Sequence, residues 1–69
     1  MDRRIRIRDL REDADLTQKE VAEYLKIRQN TYSQYENEKR QLPIEILISL
    51  AEYYGVTTDY ILGLTNKKK

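Results

Sequence analysis

Gln29, Asn30, Ser33 and Gln34 carry side chains that can both donate and accept a hydrogen bond. At helical spacing they project from the face opposite Tyr32 and Tyr35. An amide presents its donor and its acceptor side by side, which suits bidentate reading of an adenine edge in the major groove of DNA. Arg28, at the start of the same stretch, suits guanine or a phosphate. Taken one at a time, outward amides are equally ordinary solvent-facing residues of a helix. Their chemistry becomes specific only through the elements that hold them.

Those elements lie in Gln18 to Asn37, QKEVAEYLKIRQNTYSQYEN, which reads as two short helices joined by a tight turn. Thr17 is a good N-cap, and Glu20 three positions later completes the capping box T-x-x-E. Leu16 before the cap and Val21 after it are placed to form a hydrophobic staple. Val21, Ala22 and Leu25 share one face at helical spacing. Lys26-Ile27-Arg28 is long enough only for a turn, and a second helix follows from Gln29 with Tyr32 and Tyr35 on its inner side. Ala22 is small where the two helices cross. Gln18 stands in the first turn of the first of them, where unpaired backbone N–H groups and the helix dipole favour an anion.

Outside this stretch the pattern predicts three more helices. Ile7, Leu10 and Ala14 recur at helical spacing, giving a first helix from Arg3 to Ala14 with Asp2 as its N-cap. The arginines at that end oppose the helix dipole, so fraying is expected there. Pro43 suits a first helical turn and Gly55 a C-cap, which brackets a helix ending at Tyr54. Ile44, Leu47, Ile48, Ala51 and Tyr54 form one apolar stripe on it, and Ile46, Leu50 and Tyr53 a second beside the first. So apolar a helix is either central or meets a second subunit. Ile46, Leu50 and Tyr53, extended by Tyr60 and Leu64, are the expected dimer interface. Thr57 or Thr58 caps a last short helix, Asp59 to Leu62. The expected organisation is one domain over residues 1–64 and a basic, disordered tail over residues 65–69.

Composition narrows the function classes. The chain has 69 residues, with neither cysteine nor histidine. Disulfides, thiolate metal sites and the usual nucleophile–base pairs therefore lack their members. Glu12, Asp13 and Asp15 crowd at a helix end and read as a solvated face. No Gly-rich phosphate loop is present. The expectation is a protein that is not an enzyme and uses no metal or cofactor. No apolar run reaches membrane-spanning length and no signal-peptide pattern opens the chain, so no membrane association is expected. The net charge is only +1, but it is segregated. Residues 1–11 hold five Arg against two Asp, residues 26–41 four bases against Glu36 and Glu38, and residues 67–69 three lysines. Arg3, Arg4 and the lysine tail can add electrostatic attraction to a polyanion.

The apolar set Val21, Leu25, Ile27, Tyr32 and Tyr35, with Ala22, resembles the helix-turn-helix of the phage repressor and Cro family, also called the xenobiotic-response-element type. The likeness continues through LREDADLTQKEVAEYL, YENEKR and LISLAEYYGV, from about Ile7 to Leu62. It implies an all-α, five-helix, lambda-repressor-like DNA-binding domain. It also implies that Gln29, Asn30 and Gln34 reach base edges, while Gln18, Asn37, Lys39 and Arg40 bind phosphates. Arg11 is implied to pair with Glu36, tying the first helix to the recognition helix. Four positions depart from the pattern, and at three of them, Asp15, Lys26 and Glu38, glycine is usual. Arg28 stands where Ser or Thr often caps, and Asn37 is an alternative left-handed C-cap. The resemblance implies a transcriptional regulator, most often a repressor. It would act on double-stranded DNA, on a pseudo-palindromic operator, as a homodimer. The implied location is the cytoplasm of a prokaryote or its phage, in association with the nucleoid. The rival reading is a protein-interaction module on the same fold, such as an antitoxin-like or anti-regulator subunit.

Overall fold

The computed structural model describes residues 5–69. The described residues form five helices and no strand: α1 (Ile7–Asp13), α2 (Gln18–Leu25), α3 (Gln29–Glu36), α4 (Ile44–Tyr54) and α5 (Thr58–Ile61). The fold is all-α, and the core collects side chains from every helix: Ile7 and Leu10, Val21 and Ala22, Tyr32 and Tyr35, Leu50 and Ala51, and Ile61. α2 and α3 are the most closely packed pair of helices. Ala22 of α2 is buried in this core and has no side chain beyond Cβ.

Local sequence accounts for where most helices start. At α2, Thr17 Oγ1 accepts from the Glu20 backbone N–H at 3.1 Å, and Glu20 Oε1 accepts from the Thr17 N–H at 2.9 Å. The capping box is therefore complete, satisfying two donors that a helix start leaves open. Thr57 does the same for α5 in part, accepting from the Tyr60 N–H at 3.0 Å. Pro43 sits one position outside α4, as its N-cap.

α1 is shorter than the pattern predicts. It begins at Ile7, and Arg6 is its N-cap without a side-chain cap hydrogen bond. The Arg6 backbone N–H is directed instead to the Ile61 carbonyl at the end of α5, at 2.8 Å. A tertiary hydrogen bond thus sets the helix boundary there. The expected cap Asp2, with Arg3 and Arg4, lies outside the described residues.

All five helices close in the same way. A left-handed residue, the cap itself in α2 and α4 and the residue after it in α1, α3 and α5, is followed by an N–H that reaches back five residues: Leu16 to Arg11, Ile27 to Ala22, Lys39 to Gln34, Val56 to Ala51 and Leu64 to Asp59, each at 2.9 or 3.0 Å. This Schellman arrangement satisfies carbonyls that have no partner inside the helix. The left-handed residues are Asp15, Lys26, Glu38, Gly55 and Gly63. Asn37, the alternative for α3, keeps φ −86°, and Glu38 takes φ 56° in its place. The carbonyl of Gln34 needs a donor five residues on, and only a left-handed residue 38 delivers the Lys39 N–H.

The orientation of α4 takes one residue, Leu50, out of the expected dimer interface. Leu50 is 0% exposed and belongs to the core. Ile46, Tyr53 and Tyr60 are half-buried, and Tyr53 stacks on Tyr24 of α2 with ring centroids 4.1 Å apart. The exposed apolar residues of α4 come from the other stripe: Ile44 at 66% and Ile48 at 47%. Both stripes reach the core, Leu50 from one and Ala51 from the other, and the packing of α5 and α2 against α4 decides which of their residues are covered.

The tail, expected to be disordered, is placed against the body. Arg6 Nη1 donates to the Thr65 carbonyl at 3.0 Å and Nη2 to Asn66 Oδ1 at 2.9 Å, while the guanidinium lies 4.4 Å from the Tyr60 ring centroid. The Thr57 N–H donates to the Lys68 carbonyl at 2.8 Å. A fork of five donors gives this polar segment partners that composition does not disclose.

Candidate nucleic-acid interface

α3 is built to face two ways. Tyr32, Tyr35 and Glu36 are buried on one side. Gln29, Asn30, Gln34 and Asn37 are exposed on the other, with Ser33 half-buried between them. The helix starts without help from its own side chains, since Arg28 is its extended N-cap with no side-chain hydrogen bond. Arg28 is left exposed at that end. What positions α3 is therefore its buried side.

Glu36 is the centre of that side. Its side chain is 0% exposed. Arg11 Nε donates to Oε2 at 2.6 Å and Arg11 Nη2 to Oε1 at 3.2 Å, a two-pronged contact from α1. Gln18 Nε2, from α2, donates to Oε1 at 3.0 Å. Arg8 Nε lies 3.5 Å from the same oxygen. One carboxylate thus ties three helices together. Burial by itself would raise its pKa, but the hydrogen bonds from Arg11 and Gln18, with the Tyr32 hydroxyl beside it, hold it below the ordinary carboxylate value. The carboxylate stays charged because its donors outweigh its desolvation. Arg11 spends its remaining nitrogen, Nη1, on the Leu16 carbonyl at 2.9 Å. The Tyr32 hydroxyl is close enough to Glu36 to feel its charge, yet makes no hydrogen bond of good geometry among the described residues. Desolvation first, then Glu36, raises the pKa of that phenol.

Two of the expected phosphate-binding amides are thereby fixed in place. Gln18 uses one Nε2 hydrogen on Glu36, leaving its second hydrogen and the backbone N–H groups of Gln18 and Lys19, which the capping box does not use, for a ligand. Asn37 accepts from Arg8 Nη2 at 2.8 Å through Oδ1 and donates from Nδ2 to Ser33 Oγ at 3.3 Å. Lys39 and Arg40 are exposed just beyond α3, lining a shallow groove with Ile5, Glu38, Gln41 and Leu42. The structure brings Arg11, Glu36 and Gln18 into one cluster, and Arg8, Asn37 and Ser33 into a second that meets it at Glu36.

Arg8 is the residue that the sequence reading passed over. Its signal is its spacing: three positions before Arg11, it shares that residue's face of α1. Alone, a second arginine on a charged helix is indistinguishable from a solvated one.

The helix-turn-helix family matches residues 7–61. The chain is 43% identical over 61 residues to a Bacillus subtilis (strain 168) protein named uncharacterized HTH-type transcriptional regulator YobD, covering 88% of this chain and 54% of that one. It is 43% identical over 58 residues to the HTH-type transcriptional regulator ImmR of the same organism, covering 84% of this chain and 46% of the other. It is also 43% identical over 51 residues to the cryptic phage CTXphi transcriptional repressor RstR of Vibrio cholerae, covering 74% and 46% respectively. The chain spans about half the length of these curated relatives. No solved structure matches it.

Proposed function

The chain belongs to the helix-turn-helix family of the phage-repressor and Cro type, and from that membership we propose that it binds double-stranded DNA in a sequence-specific way and regulates transcription, as a repressor. The observation that carries the reading is the two-sidedness of α3. Its exposed face is a run of amides, and its buried face is locked to α1 and α2 through Glu36. A rigid helix with amides outward is what base reading in a major groove requires. Arg28, Gln29, Asn30, Ser33 and Gln34 are the base-reading set. Gln18, Asn37, Lys39 and Arg40 hold the phosphates that fix register.

The assembly proposed is a homodimer on a pseudo-palindromic operator, its two copies of α3 about 34–36 Å apart. The C-terminal half supplies the contact, through Ile46, Tyr53, Tyr60 and Leu64; Leu50 is excluded because it is buried. Among the described residues no helix is long and apolar enough to cross a membrane. Action at the nucleoid, in the cytoplasm of a bacterium or its phage, follows from the proposed ligand.

Selection of bound sequences from random DNA, followed by titration of the best site across salt concentrations, tests the reading. A preferred site is expected, with a salt slope that falls by about one unit when Lys39 or Arg40 is neutralised. Binding that is absent, or indifferent to both salt and sequence, would sink it.

A further inference from the structure

Arg8 has no part in the recognition set named above, yet its side chain reaches from α1 to the end of α3. Nη2 donates to Asn37 Oδ1 at 2.8 Å, and Nε rests 3.5 Å from Glu36 Oε1. We propose that Arg8 is a positioning residue for DNA binding: it fixes the orientation of the Asn37 amide so that the NH2 group, and not the carbonyl oxygen, is offered to a phosphate.

Donors and acceptors decide which way the amide sits. An asparagine amide can sit either way round, because its oxygen and nitrogen have nearly the same shape and its terminal torsion is soft. A guanidinium has donors and no acceptor, so the atom facing it must be the oxygen. With Oδ1 committed to Arg8, Nδ2 is turned towards Ser33 Oγ, 3.3 Å away. Nδ2 has two hydrogens. Ser33 takes one, and the other is left on an exposed side chain. Reversed, the same amide would present a carbonyl oxygen to a phosphate oxygen, and neither could donate. Glu36 holds Arg8 in turn. Its carboxylate is buried and charged, so the 42%-exposed arginine is drawn inward against it. The charge of Arg8 is thereby turned towards the protein, and its effect on DNA passes through Asn37.

This rests on the proposal that Asn37 contacts phosphate. The test is a double-mutant cycle with Arg8→Met and Asn37→Ala on the selected site, with unfolding followed separately so that affinity is compared between folded proteins. Arg8→Leu, which also lacks a donor, replaces Met should the Met variant not fold. Each single change is expected to weaken binding by about threefold to tenfold, the loss set by the fraction of amides left in the competent orientation. The double variant is expected to lose no more than the worse single one, with the salt slope unchanged by Arg8→Met. Arg8→Lys, which also only donates, restores affinity. In the free protein, the Asn37 side-chain amide resonances are expected to shift in Arg8→Met and to return in Arg8→Lys. Losses that add, or a salt slope that drops by about one unit on Arg8→Met, would make Arg8 a direct phosphate ligand and overturn the proposal. Undiminished affinity in Arg8→Met, or amide resonances that do not respond, overturns it too. If the native chain binds no DNA, both this inference and the DNA-binding reading fall. If it binds and the cycle is additive, only the role of Arg8 does.

Discussion

The three N-terminal helices and the two C-terminal ones end in the same backbone geometry, reached by different residues. α4 and α5 turn left-handed on Gly55 and Gly63, whereas α1, α2 and α3 do so on Asp15, Lys26 and Glu38. The two halves also differ in what joins their helices. α1, α2 and α3 meet on a buried carboxylate with donors from Arg11 and Gln18. α4 is held by apolar burial of Leu50 and Ala51 and by the stacking of Tyr53 on Tyr24. A charged cluster demands defined geometry, because a misplaced donor leaves a buried charge unpaired. Apolar packing tolerates small shifts. The strict joint and the strained turns therefore lie in the half that carries α3.

The largest effect is expected at the polar joint. Arg11→Ala leaves the Glu36 carboxylate buried without its main partner, and should cost about 3–5 kcal/mol in urea unfolding. That is a large part of the stability of so small a domain. A cost below about 1 kcal/mol would show that water or Arg8 replaces the pair. The joint should also show in the pH dependence. Glu36 is held below its ordinary value near 4.5, so its contribution is full above the unfolded-state pKa. It is lost as pH falls through the lower folded value. Native protein should lose stability on acidification below about pH 4.5 more steeply than Glu36→Gln, which has no such proton to take up. Parallel acid profiles would remove Glu36 as the cause.

The helix ends offer a comparison of opposite sign. Gly55→Ala meets no atom within 4 Å of the new Cβ, so its cost is that of the left-handed backbone, about 1–2 kcal/mol. Lys26→Gly removes the same kind of strain and gives back part of the gain through a freer unfolded chain, for a net stabilisation of about 0.5–1 kcal/mol. Thermal unfolding of the two variants should move in opposite directions. If Lys26→Gly destabilises, the lysine side chain contributes more than its backbone costs. The smallest change belongs to the exposed flank of α4. Ile48→Ser should alter monomer stability by no more than about 0.5 kcal/mol. A clearly larger loss in dilute protein would place Ile48 in a covered surface.

Much of the motif was legible because its determinants are local. Thr17 and Glu20 are three residues apart and cap α2 whatever surrounds them. Tyr32 and Tyr35 mark the inner side of α3 by spacing alone, which leaves Gln29, Asn30 and Gln34 outside. The end of α3 was harder. Asn37 and Glu38 are neighbours, and general preference favours asparagine for a left-handed turn. The hydrogen bond from Lys39 to Gln34 decided for Glu38.

By itself the sequence determined an all-α chain, the places where its helices break, and the amide face of α3, since each depends on residues within a turn or two of one another. Tertiary structure alone decided what depends on partners far along the chain. α1 starts at Ile7 because the Arg6 N–H goes to Ile61. Leu50 and Ala51, one from each apolar stripe of α4, are covered while Ile44 and Ile48 are not, and only neighbours in space can make that choice. Arg8 gains a role because Asn37, twenty-nine positions away, is folded to within 2.8 Å of it. Spacing along a helix fixes which residues share a face; it carries no information about what that face will meet.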